Sequence, residues 1–174
     1  MNKQTLLQMW DHLRESNGIG MRVIASLPAD KLDSHPIPNM RTPKELVVHL
    51  YDVVIKAMAE SVARGEFVYD DGSEKKLAAS IKSRDELLKF ARDCWNAADK
   101  IVASLSDAQL AAEVKTPFGK NFPGFVMFGI TNDEFYHHRG QLYAYLRALG
   151  GEPPMMWDFE HNESAFQPKQ HAQA

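Results

Sequence analysis

The stretch NDEFYHHRGQLYAYLRALGGEPP, residues 132–154, sets Glu134, His137 and His138 into a run that otherwise has the apolar spacing of a buried helix face. Phe128, Phe135, Leu142 and Leu149 recur every seven positions, with Thr131, His138 and Tyr145 in the complementary seam. At about 100° per residue this aims His138 into a helical core, puts Glu134 one turn before it and roughly 60° off the seam, and turns His137 roughly 120° away. An imidazole and a carboxylate one turn apart are neighbours, and burying either without a partner carries a large desolvation cost. A divalent transition metal serves both, because it accepts imidazole nitrogen and carboxylate oxygen. A third ligand from another helix would complete a two-histidine, one-carboxylate face with open positions. A plain Glu134–His138 ion pair, or a core histidine satisfied by a carbonyl or water, meets the same spacing. A Glu-x-x-x-His pair alone does not separate these readings.

The third ligand has one candidate near the centre of another long helix, His49 in ELVVHLYDVV. Leu46, Leu50, Val53 and Ala57 centre that helix's apolar stripe roughly 100° away, which leaves His49 at the edge of the buried face. Asp52, one turn later, could orient the ring but reads more simply as solvated. His12 on the first helix competes with His49, whereas His35, His161 and His171 fall in loops or the tail. Cys94 lies beside Trp95 with no charge partner nearby to lower its pKa, and so reads as core rather than nucleophile. Phe122, Phe125, Met127 and Phe128 read as core or dimer contact. After His138, Gly140 would permit close helix approach, while Arg139 and Gln141 could bond to another helix or around the site.

Four long helical segments must position these residues, near 3–27, 42–64, 83–105 and 124–149. Gly18 and Gly20 weaken the middle of the first by roughly 1 kcal/mol each relative to alanine. Thr42 with Pro43 and Glu45 predicts a capping box that starts the second, and Gly65 stops it. Ser83 with Glu86 predicts a second box at the third. Ser106 begins a short turn, Pro123 opens the last helix and Gly150 closes it. The segments PADKLDSHPIPNMR, GEFVYDDGSEKK and KTPFGKNFPG break the periodicity and read as connections. No alternating strand pattern of useful length occurs. The expected fold is all-α, a four-helix bundle with a long connection between helices 2 and 3. One domain spans 1–174, with Trp157 and Phe159 packed on the bundle and about 160–174 a frayed tail.

At 174 residues the chain suits one domain that can bury a core without disulfides, and 44% hydrophobic with 25% charged residues is ordinary for a soluble globular protein. Twenty basic against twenty-three acidic residues give a net charge of -3, which recruits neither nucleic acid nor an anionic membrane. A single cysteine excludes an internal disulfide framework and fits a reducing compartment. The first residues, MNKQTLLQMWDHLRESNG, meet charge too early for a signal peptide or membrane span, so a cytoplasmic protein is expected.

RTPKELVVHL together with NDEFYHHRGQLYAYLRALGGEPP resembles the DinB/YfiT-like family of metal-dependent proteins over most of the chain, most specifically in HHRGQLYAYLRALGGEPP. The resemblance implies a four-helix bundle, commonly a homodimer, with one histidine on the second helix and a His-x-x-x-His pair on the last as metal ligands. Carried over, these positions are His49, Glu134 and His138, with Glu134 standing where the family usually has histidine. The implied cofactor is a divalent transition metal, zinc or nickel first. The implied chemistry is activation of a thiol or water toward a small-molecule substrate, as in a low-molecular-weight thiol S-transferase or a hydrolase. A non-catalytic bundle with a structural or vestigial metal site, serving binding or stress, is the alternative.

Overall fold

The computed structural model describes residues 1–169. The reciprocal cap expected at Thr42 is formed: the Glu45 N–H donates to Thr42 Oγ1 (3.2 Å) and the Thr42 N–H to Glu45 Oε2 (2.8 Å). From it α2 (Pro43–Val48) runs without interruption into a π-helix (His49–Ala57) and then α3 (Met58–Arg64), a single rod closed by Gly65 at φ 81°. With α1 (Lys3–Ser26), α5 (Arg84–Ser104) and α7 (Gly124–Ala148) this rod makes a four-helix bundle whose limits fall within a residue or two of those expected. One apolar core joins all four. At its α1–α5 face Trp10 and Trp95 stack with ring centroids 4.8 Å apart, and Phe128 of α7 meets Trp10 edge-on. Arg14 is buried in the same region and paired with Asp99 at 2.5 Å, so its charge does not go unanswered.

Several expectations need correction. The cap at Ser83 is one-sided: Ser83 Oγ accepts the Glu86 N–H, but the Glu86 carboxylate reaches past it to the Lys82 N–H at 2.7 Å. The long connection is not irregular throughout, because α4 (Asp71–Ser80) forms inside it, capped by Asp70 on the Gly72 N–H. Beyond α5, Ser106 and Gln109 cap a short α6 (Asp107–Ala111). The loop before α7 is flanked by a two-residue antiparallel ladder, β1 (Glu113–Val114) on β2 (Phe122–Pro123), too short to leave an alternating pattern.

Part of the expected tail packs on the bundle. Asn162 and Phe166 are buried, and the Asn162 amide donates to the Glu15 carbonyl at 2.8 Å. Gly18 exists for this contact, since a Cβ there would stand 2.5 Å from Asn162 Cγ. Trp157, expected to pack, is 64% exposed, while Phe159 is partly buried against the core. The remainder of the expected tail, with His171, lies outside the described residues. Gly140 permits no close helix approach, since a Cβ there would meet open space. Among the described residues no helix is long and apolar enough to cross a membrane.

Candidate functional site

α7 delivers His138 to the bundle interior and Glu134 to its edge, as their spacing requires. His138 is buried, with its Nε2 3.2 Å from Glu134 Oε2, while Glu134 keeps 45% of its side chain exposed. His137 points outward. The π-helix brings His49 to meet them: its ring lies 4.9 Å from that of His138, centroid to centroid, and nearly perpendicular at 86°. His49 lies at the edge of the buried face, where the periodicity placed it, with 15% of its side chain exposed. Beyond it the π-helix closes bonds five residues apart, as from the Met58 N–H to the Val53 carbonyl. Leu50, Tyr51, Val53, Val54 and Ile55 are buried, while His49, Asp52 and Lys56 keep partial exposure along one side. Such π segments inside α-helices are frequent at functional sites.

Each imidazole is held by its Nδ1. The His138 Nδ1–H donates to Gln141 Oε1 at 2.9 Å, and the Gln141 amide is itself fixed by donating to His137 Nε2 at 3.1 Å. The His49 Nδ1–H donates to Glu74 Oε2 at 3.1 Å. Glu74 is the residue that sequence reasoning missed. It is buried on α4, accepts the Tyr69 hydroxyl at 3.2 Å and stands 3.6 Å from Arg41 Nε. Burial alone would raise its pKa, but the His49 bond and charge, Arg41 and Tyr69 outweigh it and hold the carboxyl below its usual value. Burial and the Glu74 charge push Tyr69 up to about 12, keeping it a neutral donor. The signal for α4 was present in Asp70 as N-cap with acids in the first turn, but Gly72 and a weakly amphipathic sequence hid it. Asp52 plays no part with His49 and accepts Lys56 Nζ at 3.1 Å.

With Nδ1 protonated and bonded in each ring, Nε2 is the lone-pair nitrogen. The His138 Nε2 is buried and has no hydrogen-bond partner, although the Glu134 oxygen stands 3.2 Å away. A lone pair facing a carboxylate is repulsive unless a proton or a cation lies between them. Burial, together with the His49 charge, lowers the His138 pKa despite the opposing effects of Gln141 and Glu134, which disfavours the proton. The His138–Glu134 pair has the spacing of two ligands of one metal ion, because two atoms each about 2.0–2.2 Å from one ion stand about 3–3.5 Å apart. His49, Glu134 and His138 are nonetheless more openly set than a closed triad. Among the described residues the trio whose donor atoms all lie within 4.8 Å of one another is Asp158, Glu160 and His161. That trio, half-buried at Asp158 and exposed at the other two, has an evident structural task, since Asp158 clasps Arg22 and accepts the His161 Nδ1–H.

His12 is exposed, its ring 6.4 Å from that of Tyr136 and 6.3 Å from that of Phe159, and His35 bonds the Met40 carbonyl. Cys94 is buried core, its thiol pushed up to about 12 by burial and by Asp52. Beside His49 and Glu134 opens a cavity of about 350 Å³ walled by Val53, Val54, Met58, Phe67, Tyr69, Phe118 and Ile130.

The fold and site together define a four-helix bundle with a carboxylate–histidine pair on its last helix facing a histidine on its second. The chain belongs to the DinB family, whose sequence pattern matches residues 1–170. Among solved structures it is similar to YjoA, a DinB-like protein from Bacillus subtilis, with a TM-score of 0.68 at 20% identity, over 87% of this chain and 96% of that one. It is similar also to a mycothiol-dependent maleylpyruvate isomerase, with a TM-score of 0.57 at 14% identity, over 95% of this chain and 66% of that one. No curated protein matches the sequence.

Proposed function

We propose that the protein is a metal-dependent enzyme in which His49, Glu134 and His138 hold a divalent transition metal, zinc or nickel, for chemistry on a small-molecule thiol or on water. The observation that carries this reading is the buried, unpartnered Nε2 of His138 facing the Glu134 carboxylate. A metal held by three protein groups supplies an acidic position at which a thiol or water deprotonates near neutral pH. The chain's own residues prepare that position. Glu74 and Gln141 retain the Nδ1 protons of His49 and His138, keeping both Nε2 atoms free, and such partners also raise ligand basicity. The core around His138 excludes water, and Glu134 adds negative charge with a side chain exposed enough to adjust. Membership of a family that typically binds metal and similarity to a thiol-dependent isomerase favour thiol chemistry over hydrolysis. A cytoplasmic, reducing setting suits such a thiol and the lone Cys94.

Elemental analysis of untagged protein tests the reading. About one equivalent of zinc or nickel per chain is expected, and Glu134→His is expected to bind at least as tightly. Metal-free protein that also fails to take up either ion at micromolar concentration would end it. The alternative of a non-catalytic bundle retains one supporting observation, the open spacing of the three ligands.

A homodimer belongs to the same proposal. Met155, Met156 and Trp157 are exposed beside an open groove along α7 that includes Tyr136 and Tyr143. Sedimentation at micromolar concentration is expected to give twice the chain mass, and a monomer there would refute this part.

A further inference from the structure

We infer that the cavity beside His49 and Glu134 binds the uncharged, apolar body of the substrate, an aromatic ring or branched alkyl group whose reacting head faces those two side chains. The inference rests on the metal-dependent reading only for which end reacts. A cavity of about 150 Å³ already holds a benzene ring, and this one, at about 350 Å³, has room for a ring with a substituent. Val54, Met58, Phe67, Phe118 and Ile130 make its walls, and among the described residues no lysine or arginine lines it. Its formal negative charge, Glu134, sits at the site end. The Tyr69 hydroxyl is already engaged by Glu74 and Asp71. A carboxylate at the far end of a ligand would therefore lose water and gain no counter-charge.

Phe118 provides a second observation. Two thirds of this residue is exposed, although its ring leans on Phe67 with centroids 5.9 Å apart. The loop that carries it is anchored: the Phe67 N–H donates to the Lys115 carbonyl (2.8 Å) and the Lys115 N–H to that of Gly65 (3.0 Å). The Thr116 hydroxyl closes the turn on the Lys120 carbonyl at 2.6 Å. An aromatic ring fixed at the mouth of an apolar cavity is surface that a bound ring would cover.

The test is an amide chemical-shift titration with para-methylbenzyl alcohol and with para-(hydroxymethyl)benzoate, which replaces the far methyl by a carboxylate. The alcohol is expected to bind with shifts centred on Val54, Phe118 and Ile130, and the carboxylate at least about tenfold more weakly. Phe118→Ala, at an exposed position that does not threaten folding, should weaken the alcohol about tenfold. Ile130→Trp should fill the cavity and abolish binding. Equal affinity for the two probes, shifts centred elsewhere, or no binding of the alcohol would overturn the inference. The titration is run on protein as purified and again after chelation. Alcohol binding that survives chelation supports the cavity whatever becomes of the metal. Protein that retains a full equivalent of metal yet ignores the alcohol overturns the cavity and leaves the metal reading standing.

Discussion

His138→Ala is expected to lose metal almost completely, with affinity falling by more than the roughly 10–100-fold that removal of an outer partner costs. Its Nε2 is the proposed ligand atom with the least alternative: it is buried, without a hydrogen bond, and faces a carboxylate. His137→Ala is the internal control. That ring is exposed and touches the site only by accepting from the Gln141 amide, so its loss should leave metal content close to wild type. Metal analysis after gel filtration, with helicity checked by circular dichroism, reads both variants. Equal losses in the two, or full metal retention by His138→Ala, would show that the metal sits elsewhere.

Glu74→Ala is expected to weaken metal binding by about 10–100-fold although Glu74 is not proposed to touch the ion. Its task is to hold the His49 Nδ1 proton, which leaves Nε2 available and fixes the plane of the ring. Arg41 and Tyr69 hold Glu74 in turn, so the carboxylate is positioned rather than merely present. Glu74→Gln keeps an acceptor oxygen without the charge and should fall between the alanine variant and wild type. A competitive chelator titration gives the affinities, and imidazole nitrogen shifts of His49 report its tautomer in metal-free protein. If Glu74→Ala binds metal as tightly as wild type and leaves that tautomer unchanged, Glu74 has no positioning role.

What the sequence disclosed was local chemistry with fixed offsets. The Thr42–Glu45 cap and the stops at Gly65 and Gly150, both left-handed, are written in residues three positions apart or in single glycines, and each stands where expected. His138 and Glu134 were legible for the same reason, since α7 keeps a constant turn and one turn relates the two side chains. What stayed hidden depends on contacts far apart in the chain. Glu74 meets His49 across twenty-five residues, through a helix whose own apolar stripe is weak. Gly18 weakens α1 as a helix former, and the reason for it, Asn162 lying against it, is set by the far end of the chain. Trp157 is apolar yet exposed, and composition alone could not distinguish it from Phe166, which is buried.

The π segment from His49 to Ala57 acts as a phase adjuster between the two halves of a single rod. Upstream of it the Thr42 cap sets the rotation of the helix, and downstream α3 is set by its own packing. An imidazole placed at the junction answers to both. Deleting one residue from that stretch would let ordinary four-residue bonding resume, and the rod would remain as helical as before. The two halves would then be out of step by roughly 100°, and they could not both keep their present faces. Total helicity and the aim of His49 are therefore independent properties of this chain, and an intact bundle would not by itself certify an intact site.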